Sequence, residues 1–299
     1  MNRKAKADIY LLITALIWGL AFVAQRVGME YMGPFFFNAL RFALGATALL
    51  PMLYLYKQKG NAVSFGKRKL WVSGILAGSF LFVGASLQQI GLVYTTAAKS
   101  GFITGLYGVL VPVFGILWKH KTNVATWMGI ILATIGLYLL SFEGDFKVNK
   151  GDLLVFIGTF FWANHVLLIA RYSPMYDSLS LSISQFYIVA FLSLLVALFI
   201  EPMTLNAIRG GLIPVLYGGL ISVAIAYTLQ VVAQKDAHPA YASIILSLET
   251  VFAALGGWLM LGETMNLKGI IGCTLMFIGI LVTQVPDILK VYQSKTNIQ

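Results

Sequence analysis

ITALIWGLAFVAQRVG, residues 13–28, carries no charge until Arg26 and places Trp18 near its middle. GTFFWANHVLLIARYS, residues 158–173, follows the same plan, with Trp162 and then Arg171. Each is a continuous apolar run. With its flanks, each reaches the roughly 20 residues that a helix needs to cross a ~30 Å hydrocarbon core. Barrel strands would alternate in and out over about ten residues, and neither stretch does so. The pair therefore reads as two membrane helices built alike, 144 residues apart (162 less 18).

Working outward, such runs fill the chain. Of 299 residues, 59% are hydrophobic and 11% charged, with a mean hydropathy of +0.84; soluble domains carry about 25% charged residues. Helices are expected near 8–26, 36–56, 70–90, 99–118, 124–141, 151–171, 180–200, 211–234, 239–260 and 267–285. The first is read as a span, not a signal peptide, because it runs into Gln25, Arg26 and Glu30 without a small-x-small cleavage site.

A second matched pair supports a repeat. GIILATIGLYLL (129–140) and GCTLMFIGILV (272–282) each place glycines seven apart: Gly129 with Gly136, Gly272 with Gly279. Because each half holds an odd number of spans, equivalent helices run in opposite directions through the membrane. The expected fold class is an all-α polytopic membrane protein, with ten transmembrane helices as two inverted five-helix repeats over 1–145 and 146–299. The GxxxG pattern Gly101–Gly105 is expected to pack helices within the bundle.

The net charge of +10 reflects orientation, not nucleic-acid binding. Arg3, Lys4, Lys6, Lys57, Lys59, Lys67, Arg68, Lys69, Lys119, Lys121, Arg171, Lys235, Lys290 and Lys295 fall on one side, 14 in all. Arg26, Lys147, Lys150, Arg209 and Lys268, five in all, fall on the other. The positive-inside rule then puts both termini in the cytoplasm of a cell (inner or plasma) membrane.

A strongly polar group at bilayer depth costs about 2.5–3.5 kcal/mol, so each one present is a candidate for function. Glu249 lies midway along the ninth helix. Asn164 and His165 follow Trp162. Gln88 and Gln89 end the third helix, Gln25 the first, Gln185 lies in the seventh and Gln230 in the eighth. Glu249 reads either as a carboxylate that binds a proton or a cationic group, or as a neutral carboxyl bonding between helices. His165 reads either as a substrate or proton site or as an interhelical hydrogen bond. Lys99 is either an interfacial lysine or a cation at a cavity mouth that attracts carboxylates or pairs with Glu249. Arg41 reads as a structural pairing or snorkelling residue. Trp18, Trp162, Tyr94, Tyr107, Tyr138, Tyr227 and Tyr241 offer aromatic surfaces for a cavity. Pro112 is expected to kink the fourth helix.

The substrate-binding set is thus Trp18, Gln88, Gln89, Lys99, Tyr107, Trp162, Asn164, His165, Gln185, Tyr227, Gln230 and Glu249, with Glu249 and His165 as proton carriers. No cofactor or metal is expected. Cys273 is the sole cysteine, there is no G-x-x-x-x-G-K-[ST] phosphate loop, and His120, His165 and His238 have no carboxylate at close helical spacing. An enzyme is therefore not expected.

These residues resemble the drug/metabolite transporter superfamily, specifically proteins built from two EamA-type repeats. The resemblance is carried by IWGLAFVAQRVGMEYMGPFFFNALRFALGA (17–46), QQIGLVYTTAAKSGFITGLYGVLVPVFGIL (88–117), AYASIILSLETVFAALGGWLMLGETM (240–265) and the two Gly-x6-Gly helices. It implies ten spans, a cavity between the halves and movement of small metabolites. The family's Leu-Glu-Pro and Leu-Gly-Glu turns correspond to Leu248-Glu249-Thr250 and Leu261-Gly262-Glu263, with Thr250 in place of proline. The expected function is secondary transport of amino acids or related polar or amphipathic compounds, outward, by alternating access and with possible proton coupling. A lipid flippase or a non-transporting membrane partner is the alternative.

Overall fold

The computed structural model describes residues 3–58, 67–117, 124–141, 149–237 and 239–296; the loop basic residues Lys59, Lys119, Lys121 and Lys147, and His120 and His238, lie outside them. Among the described residues the fold is all-helical. Seven helices are long and apolar enough to cross a membrane: Ala5–Gly28, Pro34–Gln58, Lys69–Gly91, Ala97–Gly115, Lys150–Tyr172, Ser178–Ile200 and Leu212–Ala233. Three shorter apolar helices are Trp127–Leu139, Ile245–Leu261 and Leu267–Val282. Large apolar side chains such as Ile9, Leu12, Ile131, Leu198 and Phe199 are exposed on their outer faces. Such an exterior suits acyl chains, and helices suit a solvent that cannot bond a free backbone.

In chain order the elements are α1 (Arg3–Gly28), α2 (Pro34–Gln58), α3 (Lys67–Gly91), α4 (Ala97–Gly105), α5 (Tyr107–Leu117), α6 (Val124–Ser141), α7 (Lys150–Tyr172) and α8 (Ser178–Ile200). They continue with α9 (Leu205–Gly210), α10 (Leu212–Leu216), a π-helical segment (Tyr217–Tyr227), α11 (Thr228–Ala233), α12 (Pro239–Ser247), α13 (Glu249–Leu261) and α14 (Leu267–Thr296). α1 packs on α13 and the π-helical segment, α2 on α8, α3 on α7 and α8, α4 on α13, and α6 on α14.

Two helices are interrupted. α4 and α5 meet at Leu106, whose amide bonds to Ile103 O at 3.1 Å; α12 and α13 meet at Leu248, whose amide bonds to Ile245 O at 3.1 Å. Both are single tightened turns, and they lie 142 residues apart (248 less 106). α5 runs through Pro112, where a kink is expected, and the helix break itself comes six residues earlier. The ninth-helix break exists although position 250 holds threonine, not proline. The cause is the crossing of the two breaks. Ser247 Oγ, beside one break, donates to Gly105 O, beside the other, at 3.4 Å and to Ser243 O in its own helix at 2.7 Å.

Glycines permit that crossing. A Cβ on Gly101 would strike Ala253, one on Gly105 would strike Thr250, and one on Gly108 would lie 2.5 Å from Ser247 Oγ. The GxxxG pattern therefore packs helices within the bundle, as expected. The Gly-x6-Gly helices use their glycines reciprocally: a Cβ on Gly136 would sit 2.5 Å from Gly272 O, and one on Gly279 would sit 2.6 Å from Gly129 O.

The π-helical segment has a local reason. Trp18 Nε1 donates to Ser222 O at 3.4 Å, and Thr14 Oγ1 to Ala226 O at 3.2 Å. α1 thus donates to carbonyls of this segment at Ser222 and Ala226.

Candidate functional site

The α1 residues Trp18, Ala21, Phe22 and Gln25 form an i, i+3, i+4, i+7 stripe, and all four line one central cavity. The facing walls come from α2 (Arg41), α3 (Gln88), α4 (Thr104), α5 (Tyr107), α7 (Trp162), the π-helical segment (Tyr227), α11 (Gln230) and α13 (Glu249). Its volume is ≈ 30 Å³, room for about one or two waters. A metabolite needs several hundred cubic ångströms. The molecule is therefore closed around its centre.

Aromatic rings make up one wall. Tyr227 lies 4.5 Å from Trp18 and 6.3 Å from Trp162, the latter stacked at 21°. Phe42 and Phe186 close around the same ring at 6.0 and 5.7 Å. An amide and hydroxyl chain forms another wall: Thr104 Oγ1 donates to Gln88 Oε1 at 3.4 Å, and Gln88 Nε2 donates to Gln25 Oε1 at 3.0 Å.

Two groups of opposite charge type complete it. Arg41 is only 2% exposed. Its Nε donates to the neutral Asn38 Oδ1 at 2.9 Å, and its guanidinium lies 4.8 Å from the Phe42 ring and 5.6 Å from Phe37. Among the described residues no carboxylate pairs with it. Glu249 is 3% exposed, beside the Tyr107 hydroxyl. Trp162 Nε1 and both side-chain amide atoms of Gln230 have no hydrogen-bond partner among the described residues, while the Tyr107 hydroxyl and the Glu249 carboxyl face each other. Buried polar groups rarely stay unbonded, which makes this cluster the candidate for contact with whatever enters the cavity.

The sequence-predicted residues divide three ways. Trp18, Gln88, Tyr107, Trp162, Tyr227, Gln230 and Glu249 meet at the cavity. His165 and Gln185 lie behind the aromatic wall: the His165 ring meets Tyr227 edge-on at 6.3 Å, and its Nε2 bonds Gln185 Oε1 at 2.8 Å, joining α7 to α8. Gln89 is also behind the lining, with Nε2 donating to Gln25 O at 3.1 Å.

Lys99 and Asn164 lie elsewhere. Lys99 lines a separate vestibule of ≈ 500 Å³ with Arg26, Glu30, Tyr94 and Glu263, so it does not share the cavity with Glu249. Asn164 lines a third groove with Leu76, Phe80 and Arg171, its Nδ2 donating to Phe160 O at 2.7 Å. It is one residue from His165, and one residue turns about 100° around a helix. Tyr138 is exposed beneath Lys268, and the Tyr241 side chain lies outside the described residues.

Of the two roles expected for Arg41, the structure shows a local pairing, with Asn38, and not snorkelling: Asn38, Arg41 and Phe42 are all buried, so this face of α2 turns inward. Gln25, Thr104 and Ser222 also line the cavity without having been singled out as binding residues. The α1 stripe starting at Trp18 was the available signal for Gln25.

The EamA-like transporter family matches residues 5–142 and again residues 149–285. The chain belongs to that family. A transporter from Archaeoglobus fulgidus is 29% identical over 94% of this chain and 86% of its own length. The Bacillus subtilis transporter YoaV is 22% identical over 92% and 95%. The Escherichia coli inner membrane transporter YedA is 26% identical over 84% and 81%. A protein crystal structure shares the fold with a TM-score of 0.70 at 19% identity, covering 95% of this chain and 99% of that one. The molecule is a multi-pass membrane protein of a transporter family, so its central cavity is the candidate substrate site.

Proposed function

We propose that the protein is a secondary transporter of small amphipathic metabolites, amino acids or related compounds, that carries them outward across the cell membrane by alternating access. In this reading the seven long and three short apolar helices make ten spans, and the halves 1–145 and 146–299 are inverted copies with both termini in the cytoplasm. Three spacings support the inversion: the tryptophans Trp18 and Trp162, the breaks at Leu106 and Leu248, and the reciprocal glycine pairs.

One observation carries the substrate class. A single cavity faces a buried guanidinium without a carboxylate partner among the described residues, a buried carboxyl group, and the rings of Trp18, Trp162 and Tyr227. A guanidinium offers a planar fork for a carboxylate. Aromatic faces and a carboxyl group suit an ammonium. Glu249 is the better proton carrier of the two predicted, since it lines the cavity whereas His165 is bonded to Gln185 behind it.

The test is counterflow of radiolabelled amino acids, and of their decarboxylated and N-acylated analogues, into proteoliposomes. Amino acids should exchange faster than either analogue, and Arg41→Gln should remove the advantage over the amine. Exchange of none of these compounds would refute the reading. The flippase alternative draws on a specific feature, the ≈ 390 Å³ groove lined mainly by apolar side chains such as Leu76, Phe80, Leu167 and Leu168. Scrambling of a labelled phospholipid in the same vesicles would favour it.

A further inference from the structure

At one end of the molecule, two carboxylates from the second half of the chain close helix N-termini in the first. Glu201, which ends α8, accepts from Phe35 N at 3.0 Å and Phe36 N at 2.7 Å, at the start of α2. Glu263 accepts from Ala97 N at 2.8 Å and Ala98 N at 2.9 Å, at the start of α4. Each carboxylate thus bridges two free N–H groups at the positive end of a helix, a charge-assisted arrangement.

Both seats are shaped for this. A Cβ on Gly33 would strike the Glu201 carboxylate, and one on Gly257 would strike that of Glu263. Gly262 adopts φ +64°, and Glu263 N bonds back to Gly257 O at 3.0 Å. That left-handed turn, which glycine takes at little cost, delivers Glu263 to α4. It gives the Leu261-Gly262-Glu263 turn a physical purpose.

We infer that Glu201 and Glu263 are a pair of latches that hold this end of the transporter shut. The helices they join bear Arg41 on α2, Thr104 on α4 and Glu249 on α13, so parting α2 from α8 or α4 from the end of α13 is what would open the cavity on this side. Parting either pair breaks two charge-assisted bonds. At the repeat offset of 143 or 144 residues, the equivalent sequence positions are Lys57 (201 less 144) and His120 (263 less 143), neither of which offers a carboxylate. The N-terminus of α8 is capped within its own helix by Asp177, which accepts from Ser180 N at 2.7 Å and lies near Lys235 in the turn after α11. The molecule therefore opens more readily at the Asp177 end. This bias rests on the inverted-repeat reading; the latches themselves rest on the bonds.

The test uses the full-length protein in oriented proteoliposomes, with Cys273→Ala removing the native thiol and Thr104→Cys reporting from the cavity. A membrane-impermeant maleimide is added from the Lys99 face. Glu201→Ala and Glu263→Ala should each raise labelling about fivefold, from ~1 kcal/mol per lost cap, and the double variant should raise it further. Asp177→Ala removes a cap of the same kind at the other end and should not raise it. If the alanine variants do not fold, Glu201→Gln and Glu263→Gln should give a smaller rise. Flat labelling across the folded latch variants, or an equal rise with Asp177→Ala, overturns the latches. A cysteine unreactive from both faces in every variant overturns the transport reading as well, whereas labelling from the Asp177 face that ignores the latch variants overturns the latches alone.

Discussion

Replacing Gly279 by alanine adds one methyl group at the contact of α6 and α14. That methyl would lie 2.6 Å from Gly129 O, 2.8 Å from Ala133 N and 3.2 Å from Ala133 Cβ. Ordinary contact begins at 3.4 Å, so the shortest approach is about 0.8 Å too close. Two of these neighbours are backbone atoms and cannot swing aside; the helices must separate. A gap of 0.5–1 Å forfeits about a quarter to a half of each dispersion contact along the seam. Overpacking of this kind costs about 1–3 kcal/mol, and with two fixed backbone neighbours the upper part of that range is expected. At roughly 2–4 °C per kcal/mol, the melting temperature in detergent should fall by about 5–10 °C, while Leu281→Ala, on an exposed face of the same helix, should lower it less. A Gly279→Ala protein that melts within 1 °C of wild type would refute the close reciprocal packing.

Three further outcomes follow from other parts of the molecule. Glu249→Gln keeps the volume and removes the titrating group, so substrate exchange should persist while its pH dependence disappears; an unchanged pH profile removes Glu249 from coupling. Trp18→Ala takes away the ring nearest Tyr227 and should weaken substrate binding about tenfold, read by ligand-induced thermal shift; full-strength binding would take Trp18 out of the site. Lys235, in the turn after α11, is held below the ordinary lysine range by burial, partly offset by Asp177 and Asp236. The native chain then binds fewer protons than the unfolded one between that lowered value and 10.5, so wild type should gain stability on Lys235→Gln as pH rises through this window. A melting difference that is constant with pH would contradict it.

Much of this was legible in the sequence because the bilayer imposes a simple rule: long uncharged runs become helices, and rare polar groups turn inward. Trp18, Trp162 and Glu249 meet at one cavity for that reason. The Gly-x6-Gly helices found each other because a repeated small-residue spacing needs a partner that can approach closely. Other features depend on neighbours that composition does not reveal. Leu106 and Leu248 interrupt helices through the crossing of their chains, with no proline at either break. Arg41 could pair or snorkel as far as sequence goes, because its burial depends on how α2 is turned against α8 and the π-helical segment. Asn164 and His165 looked like one polar site, but adjacent residues on a helix point to different sides.

The most direct test is the reactivity of a cysteine at position 88 toward an impermeant maleimide applied from each membrane face in turn. Gln88 lines the central cavity between the two halves. The account predicts reaction from both faces, slowed from both by a transported amino acid. Reaction from one face only, or protection by no amino acid, would contradict it.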